Sequence, residues 1–155
     1  MKTHIHEDPN RTTPLGLVRY ADEFREAAIA VDDSLGKKPG FEIVAPIPVL
    51  YLVGHSIELS LKAFLLYKGV TLNDLKINFG HDLGKCYMKA QELGLLNFVK
   101  FENEENEAFD VLNDLYSTKQ LEYIVTGSKQ FPVFGLIQTF SKKLLDTLGP
   151  MVGYR

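Results

Sequence analysis

Four polar residues interrupt a long apolar stretch, residues 48–69 (PVLYLVGHSIELSLKAFLLYKG): Tyr51, His55, Glu58 and Lys62. At about 100° per residue on a helix, they fall within roughly 60° of one another and form one polar stripe. A histidine and a carboxylate at this spacing could act as acid and base, or provide two metal ligands. The alternative is a buried network in which Glu58 pairs with Lys62 and His55 donates to a loop carbonyl. We favour the network, because a buried charge needs a partner.

A second candidate is the pair His81–Asp82, which directly follows Gly80. His81 could be a general base oriented by Asp82, because an imidazole titrates near neutral pH. The alternative, which we favour, is that the pair caps the next helix, where a short polar side chain satisfies free backbone N–H groups. A position of His81 across from His55 would strengthen the interpretation of both histidines as catalytic.

Tyr116, Lys119 and Tyr123 form a third set. Aromatic side chains interleaved with a lysine can stack on bases and contact phosphate. Two tyrosines seven residues apart are also typical of a helix face that packs on a neighbour. The formal net charge is −3 and no arginine is close, so the pattern favours packing over nucleic-acid contact.

Other patterns give no site. Residues 80–85 (GHDLGK) resemble a phosphate-binding loop, but the glycines are too close and no Ser or Thr follows the lysine. Cys86 is expected to be a small core thiol. No cluster of histidine and cysteine has the spacing of a zinc site. The residues therefore indicate neither a metal nor a cofactor.

The composition is that of a single soluble globular domain, with 45% hydrophobic and 24% charged residues. One cysteine fits a reducing cytoplasm. The first residues, MKTHIHEDPNRTTP, lack the pattern of a signal peptide, and the longest apolar run, residues 45–54, is about half of a bilayer span. We therefore expect a cytoplasmic protein without a membrane segment.

Apolar residues at helical spacing, bounded by Pro and Gly, predict an all-α fold. We expect an up-and-down helical bundle of four long helices with short accessory helices or turns. The predicted domain covers residues 13–150, between a flexible N-terminal tail (1–12) and a C-terminal tail (151–155). The predicted elements are helices at 14–35, 48–69, 82–94, 102–116 and 132–148, a helical turn at 71–79, a loop at 36–48 and an ambiguous segment at 117–130.

Two segments together, GHSIELSLKAFLLYKG and GHDLGKCYMKAQELGL, resemble the HEPN family of small helical-bundle proteins. In that family an inner helix carries an acidic residue and a lysine among aliphatics, and a Gly-His-Asp-Leu-like turn opens the next helix. The later LYSTKQLEYIVTG resembles the family's tyrosine-bearing segment. The resemblance covers residues 48–148 and implies a compact bundle that often dimerises.

HEPN proteins include metal-independent RNA endonucleases of toxin–antitoxin, phage-defence and RNA-processing systems. They also include non-catalytic members that assist nucleotidyltransferases or other partners. The nucleases carry an arginine, four to six residues and then a histidine, and these side chains converge on RNA from two subunits. Here no arginine precedes a histidine at that spacing. Lys76 stands five residues before His81, but a lysine lacks the planar fork that grips a phosphate.

Three hypotheses follow. The first is a non-catalytic HEPN-like module, dimeric, that binds a protein or a nucleotide- or RNA-related partner, with an antitoxin or a nucleotidyltransferase as candidate protein partners. The second is a divergent ribonuclease that uses His81 and His55, with Lys76 or Lys119 in place of arginine. The third and weakest is a carboxylate–histidine metal protein, since only one His-x-x-Glu occurs. A membrane partner is not expected, and neither is DNA.

Overall fold

The computed structural model describes residues 4–123, 125–127 and 129–155. Over these residues the regular structure is entirely helical and contains no strand, which confirms the predicted all-α class. A π-helical turn covers Leu75–Phe79, directly after the short helix at Leu72–Asp74. The α-helices are α1 (Pro14–Ser34), α2 (Ile47–Tyr67), α3 (Leu72–Asp74), α4 (Leu83–Glu92), α5 (Asn103–Tyr116) and α6 (Phe134–Val152). Short 3-10 turns cover Ile5–Glu7, Pro9–Arg11, Leu35–Lys37 and Leu95–Asn97.

Helix α2 lies at the centre of the molecule and contacts α1, α4, α5 and α6. Its apolar residues surround most of the helix, so several neighbours are needed to cover them. By length and composition α2 is the one described helix that could cross a membrane. However, 67% of that apolar window is buried inside the molecule, which is the behaviour of a core helix.

The starts of α1 and α4 follow the expected capping chemistry. The Thr13 side chain accepts a hydrogen bond from the Gly16 N–H at 3.0 Å, and Pro14 occupies the first helical position of α1. At α4 the Asp82 carboxylate accepts from the Lys85 N–H at 3.2 Å. The predicted capping role of Asp82 is therefore confirmed.

Helix α6 extends further than the sequence predicts. The expected helix ends before Gly149 and Pro150, whereas α6 continues to Val152 with Pro150 inside it. A proline removes one backbone hydrogen bond and normally disfavours a helix interior. Here the position is close to the helix end, and the Tyr154 N–H closes the last turn by donating to the Gly149 carbonyl at 2.8 Å.

The loop before α2 packs differently from the prediction. The apolar residues of segment 36–48 predict that it is anchored to the core by Phe41, Ile43, Val44 and Ile47. Phe41 and Val44 are partly buried, whereas Ile43 and Ile47 have exposed fractions of 90% and 38%. Ala45 and Pro46 are buried instead. The loop therefore leaves apolar side chains on the surface. Ile124, whose conformation the sequence left open, lies outside the described residues.

An aromatic cluster fills the core between α4, α5 and α6. The Phe140 ring stacks on Phe101 and on Phe109, with centroid distances of 4.1 and 4.9 Å. Tyr87 meets Phe140 edge-on at 5.5 Å, a favoured aromatic geometry. Beside Tyr87 on α4, Cys86 is fully buried, as expected of a core thiol.

Candidate functional site

The Glu58 carboxylate on α2 is the centre of a buried hydrogen-bond network. Glu58 is only 3% exposed, yet both of its oxygens have partners. Oε1 accepts from the Tyr116 hydroxyl at 2.7 Å and from His81 Nδ1 at 2.9 Å. Oε2 accepts from Lys62 Nζ at 2.9 Å. The network joins the middle of α2 to α5 and to the turn before α4.

The environment of Glu58 keeps the carboxylate charged. Burial by itself raises the pKa of this carboxyl. The Lys62 charge and the hydrogen bonds from His81, Lys62 and Tyr116 outweigh burial and hold the pKa of Glu58 below its ordinary value. An ionised carboxylate only accepts hydrogen bonds, so His81 must donate through Nδ1. Its Nε2 is then free to accept a proton or to meet a ligand.

Lys62 ties the network to the turn that precedes α4. Its ammonium donates to Glu58 and to the Gly80 carbonyl, the latter at 2.6 Å. Gly80 has φ of 51° and ψ of −128°, a conformation that a side chain disfavours. The predicted Glu58–Lys62 pair is confirmed, and its lysine also fixes the turn that positions His81.

Tyr116 reaches Glu58 because α2 has a glycine opposite its ring. A Cβ added at Gly54 would lie 2.6 Å from Tyr116 Cδ2, closer than side-chain carbons approach. Tyr116 is only 5% exposed, so a base cannot stack on it. Burial and the Glu58 charge raise the pKa of Tyr116, which keeps the hydroxyl protonated as a donor. Tyr116 thus belongs to the network. It packs against a neighbouring helix, as the sequence analysis favours, and is not available to contact nucleic acid.

His55 joins the network through Tyr116, with 3.1 Å between Nδ1 and the hydroxyl. Because Tyr116 donates its proton to Glu58, His55 Nδ1 must donate to the tyrosine oxygen. The expected loop-carbonyl acceptor for His55 is therefore wrong. The ring meets Phe24 edge-on at 4.5 Å and lies parallel to Tyr51 at 6.4 Å. Burial lowers the pKa of His55, so its imidazole is neutral at pH 7.

His81 differs from His55 in being open to solvent. Its side chain is 58% exposed and lines a cavity of about 250 Å³. We call this the His81 cavity; its lining is Thr12, Leu17, Lys62, Leu72, Leu75, Lys76, Gly80 and His81. The lining described here contains two lysines and no carboxylate. Glu58 neutralises the Lys62 charge from behind, so Lys76 supplies the positive charge that favours an anion in this cavity.

The carboxylate that orients His81 is Glu58 and not Asp82, since His81 Nδ1 is hydrogen-bonded to Glu58 Oε1. Asp82 Oδ1 instead accepts from the α4 backbone and from Asn113 Nδ2 at 3.1 Å. Asn113 Oδ1 accepts in turn from the Leu83 N–H at 2.9 Å. Sequence analysis missed Asn113, although it stands three residues before Tyr116 on the same face of α5. Together the two residues hold the start of α4 against α5.

Lys119 and Tyr123 lie apart from this network. Both follow α5 in a turn and are exposed, Tyr123 to 68%. Lys119 has φ of 60°, in the left-handed region that few side chains adopt. The tyrosine–lysine set is therefore divided: Tyr116 is buried at the network, while Lys119 and Tyr123 remain on the surface.

The described part of the chain brings together no three His, Cys, Asp or Glu side chains that could hold a metal ion. Comparison with known proteins finds no match to a protein-family model, a curated protein or a solved structure. The function must therefore be argued from the geometry. An exposed imidazole held by a buried carboxylate can transfer a proton or bind an anion.

Proposed function

We propose that this chain is a non-catalytic, HEPN-like module that binds RNA through a phosphate group at His81. The proposal includes the up-and-down bundle that the resemblance implies, and a cytoplasmic location. The observation that carries it is the orientation of His81 by Glu58 in a cavity that also contains Lys62 and Lys76. The two lysines are charged donors of the kind that hold phosphate oxygens, and a protonated His81 adds a donor through Nε2.

The network supports binding because it holds the hydrogen-bond donors in position before a ligand binds. Lys62 is held by two acceptors and its side chain is only 14% exposed, so little side-chain freedom remains to be lost. Lys76 is exposed and lies on the π-helical turn, where its longer reach adapts to a phosphate. His81 adds a directional donor when it is protonated.

The same geometry argues against cleavage by one copy of the chain. Cleavage of RNA by the 2′-hydroxyl needs a base that takes its proton and an acid that protonates the leaving oxygen. His81 is the exposed imidazole of the network, whereas His55 is partly buried between Phe24 and Tyr51. A neutral His55 with a lowered pKa is poorly suited to the role of the acid.

A second candidate function, metal-independent RNA cleavage, is favoured by the Glu58–His81 pair. A carboxylate that accepts from Nδ1 fixes the imidazole tautomer and leaves Nε2 as a base. In a homodimer, a second copy of His81 would supply the missing acid. Light scattering at micromolar concentration would test such self-association.

One experiment separates the two functions. Fluorescently labelled RNA is mixed with the protein in chelator, and both anisotropy and strand integrity are followed. We expect binding without cleavage, weakened about tenfold by His81→Ala and by Lys76→Ala, because each removes a charged hydrogen bond. Lys89→Ala, which replaces a partly exposed lysine outside the His81 cavity, is the matched control and should bind normally.

The outcomes have distinct meanings. Cleavage by the wild type that is lost in His81→Ala would replace the binding module with the ribonuclease. Failure of the wild type to bind RNA would refute both functions. Equal binding by His81→Ala, Lys76→Ala and Lys89→Ala would show that RNA contacts another surface.

A further inference from the structure

A second cavity adjoins the His81 cavity. It has a volume of about 460 Å³ and is formed by the N-terminal 3-10 turns and the first turns of α1. We call it the N-terminal cavity; its lining is Ile5, His6, Asp8, Arg11, Thr12, Thr13, Gly16, Leu17, Arg19 and Tyr20. Thr12 and Leu17 line both cavities, so the two adjoin on one face of the molecule.

Positive charge accumulates along this face of an otherwise acidic chain. The formal net charge of the protein is −3, yet the two cavities are lined by Arg11, Arg19, Lys62 and Lys76 and by one carboxylate, Asp8. Glu58 and Glu23, the carboxylates that pair with Lys62 and Arg19, lie outside the cavity linings. Such a separation of charge attracts an extended polyanion to one side of the protein. It was not visible in the sequence, because these cations are spread over residues 11 to 76.

The two arginines differ in how they are held. Arg11 Nη1 donates to the Ile5 carbonyl at 3.0 Å, which positions its guanidinium within the N-terminal turns. Arg19 lies 3.7 Å from Glu23, in a pair whose side chains are 66% and 60% exposed. An exposed pair of this kind contributes little free energy, so Arg19 can exchange Glu23 for a phosphate at small cost.

Tyr20 supplies an aromatic surface in the same cavity. Its exposed fraction is 56%, and it follows Arg19 directly. In single-strand binding sites an unpaired base stacks on an exposed aromatic ring, and a neighbouring guanidinium can hold the phosphate. A base within a duplex would not present its face to Tyr20.

We propose that single-stranded RNA bound at His81 continues over Thr12 and Leu17 into the N-terminal cavity. There Tyr20 stacks on a base, and Arg11 and Arg19 contact the backbone. This inference rests on the proposed function and extends it from one phosphate to a strand with a defined path. It also makes the N-terminal residues 5–13 part of the binding surface.

The test compares RNA oligonucleotides of about 4 and about 16 nucleotides, lengths that bracket common single-strand sites. Anisotropy titrations use the full chain and the variants Tyr20→Ala, Tyr20→Phe and Arg19→Ala. Tyr67→Ala and Lys89→Ala are matched controls, because Tyr67 is also exposed (49%) and neither residue lines the two cavities. Since Tyr20 and Arg19 are exposed, their replacement should leave the fold intact.

We expect Tyr20→Ala to weaken binding of the longer RNA by roughly 5- to 100-fold, and Tyr20→Phe to bind like the wild type because the ring is kept. Arg19→Ala should also make the slope of log K against log salt shallower by about 0.7, the contribution of one phosphate on a single strand. Tyr67→Ala and Lys89→Ala should match the wild type.

Two results would overturn the inference. If the longer RNA binds Tyr20→Ala and Arg19→Ala as it binds the wild type, while His81→Ala loses affinity, the strand does not enter the N-terminal cavity and the phosphate site at His81 stands alone. If the wild type binds neither RNA, the proposed function and the strand path fall together.

Discussion

Among the described residues, two buried glutamates pair with lysines, and their surroundings differ. At Glu58, Tyr116, His81 and Lys62 together satisfy both carboxylate oxygens. At Glu105 on α5, Oε1 accepts from Lys143 on α6 at 2.6 Å, and Oε2 has no hydrogen-bond partner within the described structure. Glu105 is 4% exposed, as buried as Glu58.

The difference indicates two structural roles. Glu105 links two helices, whereas Glu58 links several elements of the fold. The Glu105–Lys143 pair joins α5 to α6 through one contact, and Lys143 also donates to the Lys100 carbonyl at 3.2 Å. Glu58 collects donors from three regions of the chain and leads to an exposed imidazole. A buried charge with complete partners that reaches a cavity is a stronger candidate for function than one with a single partner.

The largest expected effect comes from neutralising the two glutamates in turn. Glu58→Gln should lower the free energy of unfolding by about 3–5 kcal/mol, because it leaves Lys62 without its charged partner. Glu105→Gln should cost less, about 1–3 kcal/mol, because the Lys143 side chain is 31% exposed and can turn to water. Urea denaturation measures both. Equal losses would mean that the extra partners of Glu58 add nothing to stability.

A substitution at Gly54 tests the packing that lets Tyr116 reach Glu58. Gly54→Ala should destabilise the protein by about 1–3 kcal/mol, because the new methyl group would collide with the Tyr116 ring. The control is Gly135→Ala on α6, which has open space around the added atom and should stabilise by about 0.4–1 kcal/mol. Thermal unfolding of both variants gives the comparison. A neutral Gly54→Ala would show that the Tyr116 ring can move without cost.

Acidification should weaken the Glu58 network in two steps. His55 has a lowered pKa in the folded state, so its contribution is complete above pH of about 6.5 and is lost as the pH falls towards the folded value. The Glu58 pKa is also lowered, so its contribution is lost at more acidic pH, as the carboxylate becomes protonated. Urea denaturation at several pH values should show both losses.

His55→Gln is the variant that isolates the first step. It removes the titrating ring while Glu58 and its other donors remain, so stability should change less between pH 7 and 5 than in the wild type. The groups that act on His55 are Glu58, His81, Lys62 and Glu122. An unchanged slope over this range would assign the pH dependence to groups other than His55.

The smallest change in the free energy of unfolding is expected when both members of the Glu105–Lys143 pair are replaced together. Glu105→Leu combined with Lys143→Met should change the free energy of unfolding by no more than about 1 kcal/mol, because apolar residues of similar volume often replace a buried ion pair without loss. Glu58→Leu with Lys62→Met should be clearly destabilised, since Tyr116 and Gly80 would lose their partners. If both double variants behave alike, the two pairs are equivalent.

The helices could be predicted from the sequence because their signals are local. α2 was expected at residues 48–69 and forms at Ile47–Tyr67, and the pairing of Glu58 with Lys62 follows from their spacing on one helix. The Asp82 cap is equally local. The end of α6 was missed because Pro150 was assumed to stop a helix whose last turn tolerates it.

The assembled site could not be predicted, because its contacts join distant parts of the chain. His81 lies 23 positions from Glu58, and their contact depends on the π-helical turn and on the conformation of Gly80. Neither feature has a distinct periodicity in the sequence. Packing of Tyr116 against a neighbouring helix could be predicted, but its contact with Glu58 could not, because the absence of a side chain at Gly54 on α2 opens the buried position for its ring.

The burial of Cys86 has a consequence for spectroscopy. Burial raises the pKa of this thiol to about 12, so at neutral pH it carries almost no thiolate, the form that reacts with maleimides. Cys86 is also the sole cysteine of the chain. A fluorophore or spin label attached to a cysteine introduced on the surface should therefore report from one place, without first replacing the native thiol.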